Sequence, residues 1–365
     1  MRDRIGIGII GTGFARRVQI PAFKTCEGAA VLSVASGSLD NAQGTADEFG
    51  IGHLTDDWRD TVLHPEVDLV CITTPPDLHL EVTLFALKHS KHVICEKPMA
   101  MNVAEAEEMA RAAEGQPLLA LIDHELRFQP GRLLAYSMLR DGAIGKVRHA
   151  KAVFQAPLRG DPGIAWNWWS DAAAGGGALG AIGSHVIDSF HWFLGADMAS
   201  VFCQLQTHIK ERRTRTGEVR TVTSDDEANM LLRFADGEIT EDATGLVSVS
   251  MTENPKYQNT MEFYGTAGAM RVGHLGEVWI AKAGESDWTE IDVDLGDLLP
   301  GMPDTGFARA FLKFAPKIVD AIRRGETSIE HAATFADGVR VQWILDAARE
   351  SNSTGRAVAV SKRRI

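Results

Sequence analysis

Short apolar runs and longer amphipathic stretches alternate along the chain up to residue 123. The apolar runs are almost continuous, which is typical of strands in a parallel sheet that is covered on both faces. Strand–helix alternation of this kind predicts an α/β domain with a doubly wound parallel sheet over residues 1–123. The predicted strands are 5–10, 30–35, 67–73, 92–95 and 118–122, and the predicted helices are 40–49, 78–89 and 103–114.

Beyond about residue 144, strand-like segments follow one another with few helices between them. Asp236-Gly237 and the segment 265–268 have the composition of tight turns, and Thr216-Gly217 predicts a solvated hairpin within an Arg-rich stretch. The pattern predicts an α+β domain over residues 124–365 with a mostly antiparallel β-sheet, which the family resemblance described below implies to be large and open. Its predicted strands are 147–155, 201–208, 229–234, 238–250 and 260–264, and two helices, 305–323 and 330–351, close the chain.

Composition narrows the expected partners and location. The 365 residues carry 37 Lys and Arg against 49 Asp and Glu, a formal net charge of -12, so nucleic acid and anionic membranes are not expected as partners. No run of 18 apolar residues occurs, and the N-terminal segment lacks the pattern of a signal peptide. The four cysteines are widely spaced, which favours the cytoplasm, and neither they nor the 12 histidines have metal-site spacing, so no metal is expected.

A glycine-rich loop follows the first predicted strand. Gly11 occupies the position where the backbone of a dinucleotide-binding loop turns sharply, and Gly13 the position where it approaches the pyrophosphate. The third position of this fingerprint, which should be Gly or Ala for helix–strand packing, is Arg16. A glycine-rich turn without a ligand is the alternative, but the strand–helix context favours a nicotinamide cofactor.

The end of the second predicted strand bears on the choice of cofactor. An acidic residue there usually accepts a hydrogen bond from the 2′-hydroxyl of NAD, but Ser36 and Ser38 stand at this place. Both hydroxyls can donate to a 2′-phosphate, with Arg16 or Arg17 as the counter-charge. The sequence therefore favours NADP slightly over NAD.

Two side chains are candidates for acid–base chemistry. Lys97 follows the predicted strand 92–95, at the edge of the sheet where ligands bind. His185 lies on a predicted helix, and its spacing from Asp188 places both residues on one face of that helix. The alternative for Lys97 is an ordinary surface lysine without a catalytic role, and the alternative for His185 is a histidine buried in the core. Trp166 stands in a tryptophan-rich segment that suits the apolar side of a sugar ring, although a lid or a dimer interface explains it equally well.

These motifs together resemble the glucose-fructose oxidoreductase / inositol dehydrogenase / MocA (Gfo/Idh/MocA) family of NAD(P)-dependent oxidoreductases. The similarity covers essentially the whole chain, and the strand that leads into Glu96-Lys97-Pro98 is its most specific part. The motifs are Gly11-Thr12-Gly13, the segments 74–79, 91–98, 127–130, 142–145 and 175–177, and the segment 183–188.

The resemblance implies a Rossmann domain followed by an open-sheet domain that forms a homodimer or homotetramer. It implies that Lys97 is the catalytic acid–base and that His185 contacts the reacting oxygen of a sugar, sugar derivative or cyclitol. Many relatives carry an Asp where this chain has Ala181. Lys97 is therefore expected either to act with His185 alone or to recruit another carboxylate, for which Asp188 and Glu125 are the candidates. The expected substrate-binding residues are Glu125, Arg127, Trp166 and Asp188, and the expected cofactor-binding residues are Gly11, Thr12, Gly13, Phe14, Ala15, Ser36, Ser38, Thr74, Pro75, His79, Glu96 and Lys97.

The leading hypothesis is a dehydrogenase or reductase that transfers a hydride between nicotinamide and a secondary hydroxyl or ketone of a carbohydrate-like substrate. One alternative is a glycosidase that retains NAD and uses transient oxidation. Another is a nicotinamide-binding protein without catalysis, against which the presence of Lys97 and His185 argues.

Overall fold

The computed structural model describes residues 4–360 of the chain, and the first three residues of the segment tested for a signal peptide lie outside this range. The strands are β1 Ile5–Ile10, β2 Ala29–Ala35, β3 His53–Thr55, β4 Leu69–Ile72, β5 His92–Cys95, β6 Ala120–Ile122, β7 Val147–Gln155, β8 Met198–Gln206, β9 Glu211–Arg213, β10 Val219–Thr221, β11 Glu227–Phe234, β12 Thr240–Ser250, β13 Gln258–Gly265, β14 Gly268–Val272, β15 Val278–Lys282, β16 Thr289–Ile291, β17 Ala333–Thr334 and β18 Val358–Ala359. The α-helices are α1 Ile20–Lys24, α2 Leu39–Phe49, α3 Trp58–Leu63, α4 His79–Lys88, α5 Val103–Ala113, α6 Pro130–Arg140, α7 Ser184–Leu194, α8 Gly306–Arg324 and α9 Phe335–Thr354.

The first sheet is the predicted doubly wound parallel sheet. Its strand order is β17-β6-β5-β4-β1-β2-β3, with β1 to β6 parallel and β17 antiparallel at one edge. All residues of β1 and β4 are buried, as expected for central strands between two layers of helices. The carboxyl ends of β1, β4 and β5 therefore lie side by side at one edge, where doubly wound sheets bind ligands. The Rossmann prediction is confirmed.

The unit that contains this sheet includes a segment from far along the chain. It consists of the residues up to Gln129 together with Gly296–Val339, whereas the sequence analysis assigns everything after residue 123 to the second domain. The reason is the apolar face of α8, which packs into the core of the first unit. Phe311 contacts Phe23 edge to face at 5.4 Å, and Phe314 stacks on Phe128 at 4.2 Å between ring centroids.

The second unit, Pro130–Leu295 with the residues from Arg340 onward, contains the predicted open sheet. Its order is β16-β15-β14-β13-β7-β12-β11-β8-β18, and every pairing is antiparallel except that of β7 with β12. The α7 helix is buried along its whole length, and the rings of Phe190 and Phe193 lie 6.2 and 5.1 Å from that of Phe263 on the sheet. It ends at Gly195 in the left-handed conformation, as the sequence predicts.

One face of this sheet leaves apolar side chains exposed. Phe202, Leu231 and Leu246 pair across β8, β11 and β12, and they are 38%, 56% and 40% exposed. Neighbouring residues on these strands alternate between buried and exposed, so the three side chains share one surface. This surface is called the sheet-face patch below. In the part of the chain that the structure describes, no helix combines the length and apolarity needed to cross a membrane.

Candidate functional site

The glycine-rich loop has the geometry of a dinucleotide-binding turn. Gly11 has a φ of +98°, and a Cβ there would lie 2.4 Å from the carbonyl oxygen of Thr73, so a side chain cannot be accommodated. A Cβ at Gly13 would meet nothing within 4 Å, which leaves the backbone open to an approaching pyrophosphate. Of the other predicted cofactor contacts of this loop, Thr12 and Phe14 are half-buried and Ala15 is fully buried. These features fit the nicotinamide dinucleotide that the sequence predicts.

Helix–strand packing does not depend on Arg16. Ala15 is fully buried, and it begins a π-helical turn, Ala15–Gln19, that leads into α1. The small residue that the fingerprint requires is therefore supplied by Ala15, while Arg16 lies half-buried at the surface and pairs with Glu48 on α2. The departure from the glycine fingerprint is thus accommodated by a local change in helical winding.

The serines after β2 already have partners within the loop. Ser38 is the N-cap of α2, where its hydroxyl accepts a hydrogen bond from the backbone N–H of Asn41, and the Ser36 hydroxyl accepts one from the backbone N–H of Ser38. The Arg16 guanidinium, one of the two predicted counter-charges for a 2′-phosphate, already forms an ion pair with Glu48. The 2′-phosphate of NADP would have to compete with the Glu48 carboxylate for the Arg16 guanidinium.

The loop after β4 is held by His79. Thr74 and Pro75 are half-buried, whereas the His79 side chain is fully buried. Its Nδ1 and Nε2 each lie 3.0 Å from a backbone carbonyl oxygen, of Pro98 and of Thr74 respectively. Burial lowers the pKa of His79 to about 4, so at physiological pH the ring is neutral and its single N–H donates to one of these two oxygens. The imidazole thus connects the loop after β4 with the loop that carries Lys97.

Lys97 follows β5 at the carboxyl edge of the sheet. Its side chain is 18% exposed, and its Nζ lies 3.9 Å from Oε2 of Glu96, whose side chain is 11% exposed. A partly shielded ammonium group beside a carboxylate is well placed to exchange a proton with a ligand at this edge. The structure therefore brings Lys97 to the same edge as the glycine-rich loop, because β5 and β1 are parallel strands of one sheet, separated only by β4.

Gln19 and Asp123 complete the surroundings of Glu96, and the sequence analysis missed both. The Gln19 amide nitrogen donates to Asp123 at 2.7 Å and to Glu96 at 3.4 Å. Asp123 directly follows β6, so its position after a predicted parallel strand was a usable signal. Gln19 gave no such signal, because it lies in the helical segment after the glycine-rich loop and is buried by folding.

Glu125 and Arg127 lie in a short 3₁₀ turn just beyond β6. Both are buried, with 1% and 5% of their surfaces exposed. The Arg127 guanidinium lies 3.7 Å from the carboxylate of Asp337 and donates to the backbone carbonyl of His331 at 3.4 Å. Arg127 thus anchors the returning segment of the first unit, and its role toward substrate remains a prediction.

In the second unit, His185 and Asp188 lie on α7 and are 4% and 2% exposed. A π-helical turn, Leu179–Gly183, precedes this helix and includes Ala181. The backbone carbonyl of His185 accepts a hydrogen bond from the Ser189 hydroxyl, which in turn accepts one from buried Arg132. These two hydrogen bonds fix the position of the His185 backbone.

Asp225 holds the start of this helical segment. Its carboxylate accepts a hydrogen bond from the backbone N–H of Leu179 at 2.7 Å, and its backbone carbonyl accepts one from Ala178. Gly177 has a φ of +123°, and a Cβ there would lie 2.4 Å from Oδ1 of Asp225. Gly177 therefore permits the close approach of Asp225. Sequence reasoning missed Asp225, because the contact joins residues far apart in the chain.

Trp166 is fixed on the β9–β10 hairpin. Its indole N–H donates to the backbone carbonyl of Thr221 at 3.1 Å, and the Arg220 guanidinium lies 5.2 Å from its ring centroid. The predicted hairpin is present, with Arg212 pairing opposite Arg220. Because the ring is half-buried, one part of it stays accessible while the hairpin holds the other.

Comparison with known proteins identifies the family. Residues 5–124 match the model described as oxidoreductase family, NAD-binding Rossmann fold, and residues 133–271 match the GFO/IDH/MocA C-terminal domain. Levoglucosan dehydrogenase of Pseudarthrobacter phenanthrenivorans is 29% identical over 386 residues, covering 96% of each chain.

Solved structures agree over the full length. A structure of levoglucosan dehydrogenase in complex with NADH and levoglucosan has a TM-score of 0.86 at 27% identity, covering 98% of this chain and 100% of that one. An oxidoreductase domain protein from Kribbella flavida has a TM-score of 0.86 at 28% identity, covering 99% and 100%. The chain therefore belongs to the Gfo/Idh/MocA family of oxidoreductases, and it is an NAD-dependent dehydrogenase that acts on CH–OH groups.

Proposed function

We propose that the protein oxidises a secondary hydroxyl of a sugar, sugar derivative or cyclitol, or reduces the corresponding ketone, with Lys97 as the acid–base. The observation that carries this proposal is the position of Lys97. It is a partly shielded lysine at the carboxyl edge of the Rossmann sheet, beside a carboxylate and on the edge that bears the glycine-rich loop. A sugar-like substrate is supported by the levoglucosan and L-sorbose complexes of the related dehydrogenase.

In the proposed mechanism, a nicotinamide held at this edge would supply the hydride acceptor in oxidation and the hydride donor in reduction. Gly11 and Gly13 would hold its dinucleotide, with Thr74 and Pro75 at the neighbouring strand end. During oxidation, the neutral amine of Lys97 accepts the hydroxyl proton as the carbonyl forms. During reduction, the ammonium group returns that proton to the oxygen.

His185 is proposed to hydrogen-bond the reacting oxygen, and Asp188 to take the place of the Asp that is absent at position 181. The burial of both side chains on one helix supports this assignment, because buried polar side chains are kept in one orientation. Glu125, Arg127 and Trp166 are proposed as further substrate contacts.

Replacement of Lys97 tests the proposal. We expect Lys97→Ala to lower kcat by about 10²–10⁴-fold, the usual contribution of general acid–base catalysis, while nicotinamide binding measured by fluorescence titration persists. Lys88→Ala, at the end of α4, is the control and should keep wild-type turnover. Full turnover by Lys97→Ala would contradict the assignment. Glycoside cleavage without accumulation of reduced cofactor would instead support the NAD-retaining glycosidase.

We also propose that the sheet-face patch is covered by a second copy of this chain. The three exposed apolar residues lie on neighbouring strands and form one continuous surface, as oligomer interfaces do. Light scattering of the wild type and of Leu231→Lys tests this, because a charge at the centre of the patch should shift the mass toward the monomer. The protein is further proposed to be cytoplasmic, in keeping with its four buried, unpaired cysteines.

A further inference from the structure

Three buried polar side chains lie together next to Lys97. Gln19, Glu96 and Asp123 are 1%, 9% and 0% exposed, and the amide nitrogen of Gln19 donates to both carboxyl groups. Glu96 extends from this group toward Lys97, with 3.9 Å between Oε2 and Nζ. The catalytic lysine is therefore connected through Glu96 to a second acidic residue that the family motif around Lys97 does not contain.

Two adjacent carboxyl groups buried in this way cannot both be ionised without a large free-energy cost. The amide nitrogen of Gln19 reaches an oxygen of Asp123 at 2.7 Å and an oxygen of Glu96 at 3.4 Å, so the two carboxyl groups are close neighbours, and a proton on one of them would relieve their mutual repulsion. The other oxygen of Asp123, Oδ1, is also buried and accepts no hydrogen bond from any donor within residues 4–360. An ionised carboxylate would place negative charge on this oxygen without a donor to stabilise it. The carbonyl oxygen of a protonated carboxyl group carries much less charge, so its burial without a donor costs less free energy.

The electrostatic surroundings also favour the binding of a proton by the two carboxyl groups. Burial, followed by the charges of Glu125 and Glu96, raises the pKa of Asp123 well above its ordinary value, and burial raises the pKa of Glu96 against the opposing effect of Lys97. The buried thiols of Cys71 and Cys95 also lie near the two carboxyl groups, and burial raises their pKa values well above the ordinary value. These thiols stay neutral and do not supply a compensating charge.

We propose that Glu96 and Asp123 share one proton, so that the pair presents a single negative charge to Lys97, and that Asp123 is a positioning residue for the proton transfer. The catalytic part of this inference rests on the proposed function. Gln19 orients the pair by donating to both carboxyl groups. A pair that shares one proton presents less negative charge to the proton-transferring amine than two ionised carboxylates would.

Thermal unfolding as a function of pH tests the shared proton without relying on catalysis. A carboxyl group whose pKa is raised on folding binds its proton more tightly in the folded state, so stability falls as the pH rises from the ordinary carboxyl range toward the raised value. Asp123→Asn removes this group but keeps a similar shape. Between pH 5 and 9, we expect the apparent Tm of the variant to fall by about 2–4 °C less than that of the wild type.

Asp57→Asn is the matched control, because Asp57 is an exposed N-cap residue of the same unit, and its curve should parallel the wild type. Parallel curves for Asp123→Asn and the wild type would overturn the shared proton. If Asp123→Asn does not fold, Glu96→Gln removes the other half of the pair and takes its place in this comparison.

The pH dependence of kcat/KM tests the effect on Lys97. Glu96→Gln removes the carboxylate beside the ammonium group, so we expect the acid limb to move to lower pH by about one unit. Asp123→Asn confines the negative charge to Glu96, so the acid limb should move to higher pH by a smaller amount. A purely structural role would lower kcat without shifts of opposite sign. Unshifted limbs, or shifts of the same sign, would overturn the positioning role.

The two proposals fail in distinguishable ways. Full turnover by Lys97→Ala would remove the acid–base assignment and leave the unfolding comparison valid. An inactive Lys97→Ala combined with unshifted pH profiles in Glu96→Gln and Asp123→Asn would keep the acid–base assignment and remove the role of the carboxyl pair.

Discussion

The two units use different physical means to fix their candidate site residues. In the first unit, Gly11, Thr74 and Lys97 follow the carboxyl ends of neighbouring parallel strands, so backbone pairing places them together. In the second unit, His185 lies on a buried helix whose start is held by Asp225. Strand ends recur at predictable places along a chain, whereas the contact that holds the helix joins distant segments. Sites of the first kind are therefore easier to find from sequence.

The largest effect that tests this comparison is expected at the glycine-rich loop. Gly11→Ala forces a Cβ against the backbone of Thr73 at a positive φ, so we expect a loss of about 2 kcal/mol or more in the free energy of unfolding. Gly13→Ala meets open space and should keep the stability within about 0.5 kcal/mol while weakening NAD binding about tenfold or more. Urea unfolding and fluorescence titration measure the two effects. Equal loss of stability in both variants would contradict the distinct roles.

A smaller effect is expected in the second unit. His185→Ala should lower kcat/KM about tenfold, the value of one hydrogen bond to the substrate oxygen, with a larger share in KM than Lys97→Ala shows. Steady-state kinetics with the same substrate measure both variants. Wild-type kinetics for His185→Ala would make it a residue of the core alone.

Asp225 provides the matching test of how this helix is held. Asp225→Ala removes the acceptor for the Leu179 N–H and should lower the free energy of unfolding by about 1 kcal/mol, as the loss of a helix cap does. Asp225→Asn keeps an acceptor oxygen and should restore most of this loss. Equal instability of the two variants in urea would show that the carboxylate charge, and not its hydrogen bond, is what matters.

The smallest effect concerns the choice of cofactor. Glu48→Gln releases Arg16 from its ion pair, so we expect the ratio of KM for NADP to KM for NAD to fall about threefold. Arg16→Gln is the control and should move the ratio in the opposite direction. An unchanged ratio in both variants would show that Arg16 does not face the 2′ position, and the NADP preference predicted from Ser36 and Ser38 would lose its counter-charge.

Hydrophobic pattern predicts most of the architecture because β1 and β7 are delimited by local sequence alone, and both run over the predicted residues. The role of Ala15 could not be predicted, because the π-helical turn that moves the packing position away from Arg16 leaves no mark in composition. The membership of α8 in the first unit was also missed. Its amphipathic pattern shows that it packs against something, but it does not show against which unit.

The Glu96–Asp123 pair shows where sequence reasoning stops at a site. Each residue stands after a predicted strand, and Glu96 is part of a recognisable motif. Their sharing of a proton depends on the burial of both carboxyl groups and on a single amide, from Gln19, that reaches both. Such dependence on the dielectric surroundings is a property of the folded molecule.

The route of the chain has a consequence for biosynthesis. Phe23 and Phe128 face Phe311 and Phe314, so the nucleotide-binding half lacks part of its interior until the ribosome has added the segment Gly296–Val339. A nascent chain that has emerged only to Gln129 exposes these rings to water. We therefore expect nucleotide binding to develop only late in translation, after the intervening sheet has been synthesised.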